Sequence, residues 1–206
     1  MTTALSVRLK VKVPHTVIEP LRPEEVNSFL KTLSRYRDLS IVLLMLLCGL
    51  RSCEILSLNI VDVDVIELQV RVRGKGNKER VLPIPETIAS TIRRYLKLEK
   101  PKASTTKLFC VLQGPRRGAP MTPSGLRKLF RYHRTACGVK RANAHRFRHT
   151  FGADMARSKV QLPVLQRMMG HADAGTTLQY IHLSMADIAD EYRQAIQKIQ
   201  SRYDSV

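Results

Sequence analysis

Residues 41–48 read Ile-Val-Leu-Leu-Met-Leu-Leu-Cys, the longest unbroken apolar run in the chain. With Asp38 before it and Gly49 after it, the pattern predicts a helix over 39–48 that is apolar nearly all round, capped by Asp38 and stopped by Gly49. Such a helix cannot lie on a surface. Other elements must wrap it, and a chain of 206 residues with 44% apolar content has enough material to do so. The run is far short of the roughly 20 residues that span a bilayer, and residues 1–20 contain no apolar stretch leading to a small-residue cleavage site. The chain is therefore read as soluble and cytoplasmic, with no membrane partner.

Around that helix the pattern varies. A first helix is expected from Pro23, with Glu24 and Glu25 in its first turn and Val26, Phe29, Leu30 and Leu33 on one face. Over 60–84 apolar residues alternate with polar ones, through Val61, Val63 and Val65, then Leu68, Val70 and Val72, then Val81 and Ile84. This is the signature of a small antiparallel sheet. Gly74-Lys75-Gly76-Asn77 is turn chemistry, which puts Lys75 at a hairpin tip. Helices are expected over 86–99, from Thr122-Pro123 to about 135, over 144–157 and over 162–169, with a loop at 114–118. Ser184 and Asp187 are spaced as a capping box for a last amphipathic helix whose apolar stripe packs either on its own core or on a neighbouring protomer. The fold class is thus mainly α with a small antiparallel β-sheet.

Charge narrows the function. Lys and Arg total 35 against 17 acids, a net +18, and residues 100–153 hold thirteen cations and no acid. An excess so segregated favours a polyanion through counterion release, although a solvated basic surface without a partner has the same composition. The four cysteines (Cys48, Cys53, Cys110 and Cys137) form no CxxC pair and sit mostly among apolar residues. They are read as buried free thiols, as in a reducing compartment.

Breaking a phosphodiester without a metal requires a nucleophile, cations on the non-bridging oxygens and an acid for the leaving oxygen. Arg51 follows Gly49-Leu50 at the exit of the apolar helix, where it is suited either to a phosphate or to a structural ion pair with Glu54. His145 and Arg148, three apart, share a helical face and could clamp one phosphate. His145 and His149, four apart, would equally suit a metal pair, but no Glu follows His145 and no third ligand is evident. Tyr180 lies nine residues beyond His171.

Met169-Gly170-His171 with Thr176-Thr177-Leu178-Gln179-Tyr180-Ile181-His182 resembles the tyrosine recombinase signature LGHxxxxTTxxYxH, with methionine replacing leucine. Gly49 to Glu54 resembles that family's GLRxxE box, Gly74-Lys75-Gly76 its hairpin lysine motif, and His145 to Thr150 its HxLRHT box. Leu21-Arg22-Pro23-Glu24-Glu25 is similar to the opening of its catalytic domain, with Arg22 in place of the usual threonine cap. Order and spacing agree along nearly the whole chain.

The resemblance implies the tyrosine recombinase catalytic-domain fold and an enzyme that cuts and rejoins DNA without a cofactor or metal. Tyr180 would form a 3′-phosphotyrosyl bond and free a 5′-hydroxyl. Arg51 and Arg148 would hold the non-bridging oxygens, His171 would add a hydrogen bond, Lys75 would protonate the leaving oxygen, and His145 would assist proton transfer. Near the hairpin, Arg73, Lys78 and Arg80 are candidates for DNA backbone contacts; on the later helices Arg127, Lys128, Arg131 and Arg146 are others. Partners are expected to be double-stranded DNA, three further copies in a homo-tetramer on it, and accessory proteins, with a monomer or weak oligomer when free. Residues 1–20 would form an arm or linker, 21–183 the catalytic domain, and 184–206 a C-terminal amphipathic helix with exchange between protomers as one of its two packings. Family members usually place a core-binding domain ahead of this one, so the chain is expected to be a fragment or a minimal member. A type IB topoisomerase-like relaxase and a catalytically silent DNA-binding regulator on the same fold are the alternatives.

Overall fold

The structure, a computed structural model, describes residues 19–74, 79–102 and 104–170. The description below is confined to these. Seven helices and three strands follow in order: α1 (Pro23–Lys31), α2 (Tyr36–Cys48), α3 (Ser52–Ser57), β1 (Val63–Asp64), β2 (Gln69–Arg73), β3 (Glu79–Pro83), α4 (Glu86–Arg94), α5 (Pro123–Cys137), α6 (Ala144–Arg157) and α7 (Leu162–Met169). The strands form one antiparallel sheet in the order β1-β2-β3. None of the described helices is long and apolar enough to cross a membrane.

The apolar run is the centre of the molecule. Ile41, Val42, Leu44 and Met45 of α2 are fully buried, and α2 packs on both α6 and α4. Fully burying a side chain of this size contributes about 1.5–3 kcal/mol, so this helix commits the rest of the chain to surround it. Phe29 of α1 meets the Phe147 ring edge-on at 4.9 Å and lies 5.7 Å from Phe130 of α5, joining three helices through one ring cluster.

The start of α2 differs from expectation. The helix opens at Tyr36, and Asp38 stands inside its first turn, buried against Arg37 and His133 instead of capping. Burial opposes its ionisation, but the His133 and Arg37 contacts outweigh that and lower its pKa. The cap comes from elsewhere. A five-residue π-helical turn, Tyr95–Glu99, extends α4 and delivers Glu99, whose two oxygens accept the Tyr36 and Arg37 amide N–H at 2.9 Å each. Gly49 ends α2 in the left-handed conformation, and a Cβ there would lie 2.4 Å from the Phe151 ring.

Two further expectations shift. The first arm of the sheet is mostly a 3-10 turn, Ile60–Asp62, because Asp62 accepts hydrogen bonds from both the backbone N–H and the side-chain amide of Asn59. That local bonding displaces the ladder and leaves Val61 exposed. Among the cysteines, Cys48 and Cys110 are buried and Cys137 half-buried, but Cys53 is exposed in the first turn of α3. All four are free. At the front of α5, Thr122 caps as expected, its hydroxyl accepting from the Gly125 N–H at 3.1 Å.

Candidate active site and nucleic-acid interface

The functional cluster is built around one buried carboxylate. Glu54 is the third residue of α3 and reaches back to accept the Arg51 backbone N–H at 2.8 Å, so it closes the first turn of its own helix. The same carboxylate accepts from the Arg51 guanidinium at 3.1 Å and, in a two-armed grip, from both terminal nitrogens of Arg80 at 2.9 and 3.0 Å. Arg148 of α6 approaches it to 3.9 Å. Burial disfavours the charged form of Glu54, yet the Arg80 and Arg51 bonds hold its pKa below the ordinary range. Arg51 is thus in the ion pair that its sequence context allowed.

The three arginines also meet one helix end. The C-terminal carbonyls of a helix have no partner within it and favour cations. At α7, Met168, Met169 and Gly170 carbonyls accept in turn from Arg80 (2.9 Å), Arg148 (2.7 Å) and Arg51 (3.1 Å). Arg148 also donates to the Gly49 carbonyl, linking the end of α2. Arg51 keeps about a third of its side chain exposed, whereas Arg148 is buried. The two arginines of the expected phosphate pair therefore converge from α3 and α6 on the turn that leads to residue 171.

His145 stands at the exposed entrance of α6, its ring 5.0 Å from that of His149. Partial burial and then the charges of Arg148 and Arg146 lower its pKa, and the same combination with His145 itself brings His149 down to about 4. Among the described residues no group of three or more His, Cys, Asp or Glu has the arrangement of a metal site.

The groove beside His145 is basic. It has a volume of about 640 Å³ and runs along α5 beside the first turns of α3 and α6, and Arg127, Lys128 and Arg131 line it together with His145, Asn143 and Ser52. Arg134 lines it as well and was not singled out from sequence, although its spacing from Arg127 and Arg131 continues one helical face. The other candidates for DNA contact scatter. Arg73 is exposed and paired with Glu79 at 2.7 Å, and Arg146 is half-buried and donates to the Glu19 carbonyl. Arg80 is not on an open surface: its side chain is 10% exposed and held by Glu54 and Met168. Lys75, Lys78, His171, Tyr180 and the tail helix lie outside the described residues.

The phage integrase family model matches residues 19–187. Tyrosine recombinase XerC of Alcanivorax borkumensis is 34% identical over 171 residues, covering 82% of this chain and 55% of that protein. Tyrosine recombinase XerD of Staphylococcus haemolyticus is 33% identical over 164 residues, covering 77% and 54%. The chain spans about half the length of the curated relatives it matches. Among solved structures, that of XerA recombinase is similar at a TM-score of 0.72 and 28% identity, over 86% of this chain and 65% of that one. The Tn1549 transposon integrase in complex with transposon right end DNA has the same fold, with a TM-score of 0.76 at 21% identity over 90% and 68% of the two chains.

Proposed function

We propose, since this chain belongs to the phage integrase family, that it carries the catalytic half of a site-specific DNA recombinase acting through a phosphotyrosyl bond at Tyr180. The observation that carries the reading is the meeting of Arg51 and Arg148, distant in sequence, at the last carbonyls of α7. The chain runs directly from there into the stretch that contains His171 and Tyr180.

In the reaction the Tyr180 phenol oxygen attacks a DNA phosphorus, the bond to the 5′-oxygen breaks, and that oxygen takes a proton from Lys75. Arg51 and Arg148 neutralise the phosphoryl oxygens on which charge concentrates, each presenting a planar fork of donors. A phenol has an ordinary pKa of about 10, so it must lose its proton during attack. His145, exposed beside the basic groove and with its pKa lowered by partial burial and the nearby arginines, is suited to take part in that transfer. His171 adds a hydrogen bond to the phosphoryl group. The covalent intermediate retains the energy of the broken bond, and the reverse attack by a 5′-hydroxyl rejoins the strand. Double-stranded DNA is the substrate, with Arg127, Lys128 and Arg131 along the groove as backbone contacts. Residues 21–183 form the catalytic domain and 184–206 an exchanged helix in a tetramer on DNA.

The test is a nicked duplex incubated with the chain in chelator and quenched in detergent. A protein-DNA adduct that disappears in Tyr180→Phe supports the reading; an adduct that persists in that variant, or none on any duplex, refutes it for this chain.

A further inference from the structure

Three successive carbonyls at the exit of α7 are capped by three arginines from three different elements, and Arg80 is the one that no chemical step above uses. It comes from β3, the strand that follows Lys75 in the sequence, and faces inward opposite Val72 in the sheet register. Its side chain is 10% exposed, and its Nε and both terminal nitrogens already donate within the protein. That is the environment of an internal clamp and not of a DNA contact. Gly170 packs directly on it: a Cβ at that position would fall 2.8 Å from an Arg80 terminal nitrogen.

We propose that Arg80 is a positioning residue for strand cleavage, tying the last turn of α7, and hence the entry to the stretch bearing His171 and Tyr180, to the Glu54 carboxylate that orients Arg51. The proposal rests on the activity given in the preceding subsection. One guanidinium joins three parts of the machinery: the strand after Lys75, the helix of Arg51, and the exit of α7. Replacing a buried ion pair by apolar packing is often neutral for stability, so such a pair is weak evidence for a stabilising role. What a rigid planar fork adds is geometry, since it fixes two oxygens and a carbonyl at once. A lysine presents a point charge and cannot hold all three.

The test uses the full chain and its Arg80→Met and Arg80→Lys variants, with Arg157→Met, an exposed α6 residue paired with Asp154, as control. Single-turnover adduct formation on a nicked duplex is measured against DNA concentration, and amide exchange is followed in peptides covering α7. A misplaced reacting group costs on the order of a hundredfold per ångström, so Arg80→Met is expected to lower the saturating rate constant at least tenfold, with half-saturating DNA changed less than about threefold. Arg80→Lys is expected to regain melting temperature but not the rate, and exchange at the end of α7 to accelerate in both. A rate constant that is unchanged while only the reacting fraction falls would make Arg80 merely structural and overturn the proposal. So would weakened half-saturation with an unchanged rate constant and a salt slope reduced by about one, the mark of a phosphate contact. Should the parent form no adduct, the activity of the preceding subsection fails, and α7 exchange still decides the anchor: unchanged exchange in Arg80→Met overturns it.

Discussion

Replacing Glu54 by glutamine isolates the charge at the centre of the cluster while keeping its shape. The side chain is 2% exposed and that of Arg80 is 10% exposed, so the pair is little screened by solvent. Glutamine can accept from one arm of the Arg80 fork but turns an NH2 toward the other, leaving a buried cation opposed by a donor. Removing one partner of a buried pair costs about 3–5 kcal/mol. The remaining acceptor and the partial exposure of Arg51 favour the lower end, about 3 kcal/mol. For a chain of this size that corresponds to a melting temperature lower by roughly 6–12 °C. With no tryptophan in the chain, far-ultraviolet circular dichroism is the suitable probe. The pH dependence supplies a second check. The folded pKa of Glu54 is depressed, so its contribution is complete above the unfolded value of about 4.3 and is lost as pH falls below that toward the folded value. Glutamine has nothing to titrate, and the gap between parent and variant should close in acid. A cost below about 1 kcal/mol at pH 7, or a gap that does not narrow in acid, would refute the view that Glu54 works as an ionised hub.

Tyr95→Phe removes a buried hydroxyl that donates to the Leu108 carbonyl at 3.0 Å and accepts the Cys110 N–H at 3.1 Å; urea titration should register a loss of about 1–3 kcal/mol. Gly49→Ala forces a left-handed backbone at about 1–2 kcal/mol and drives a Cβ into Phe151, so its melting temperature should fall further than that of an alanine placed at the exposed, open Gly114. Arg131→Ala in the basic groove should weaken duplex binding at low salt and reduce the slope of log affinity against log salt by about one; an unchanged slope in filter binding would remove Arg131 from the interface. His149 is held at about 4, below its unfolded value of about 6.5. Between those values the unfolded chain takes up a proton that the folded one does not, so stability should decline as pH falls through that window, and His149→Gln should flatten the decline.

Much of the framework was legible because it is set by local chemistry. The apolar run, Gly49, the Thr122 cap and the helices over 144–157 and 162–169 are decided by residues within a turn or two of themselves. The surroundings of Arg80 were hidden for the opposite reason. In β3 the alternation runs with Val81 outward and Arg80 and Leu82 inward, and a single inward cation is intelligible only through Glu54, 26 residues away. Asp38 failed similarly: an acid at the start of a helix looks like a cap until His133 and Arg37 are seen to claim it. Arg51 had two readings in the sequence, phosphate ligand or ion pair with Glu54, and its partly exposed side chain beside Glu54 and Gly170 explains why a local pattern could not choose.

The Glu99 cap has a consequence for how the chain reaches this state. The core helix borrows its terminal acceptor from a residue 62 positions downstream, and Arg37 in its first turn donates to the Cys110 carbonyl. On a growing polypeptide, α2 therefore emerges with an unfinished end that only residues synthesised much later can close. Loop closure over such a span must precede the reward. The centre of the molecule is consequently sealed by its periphery.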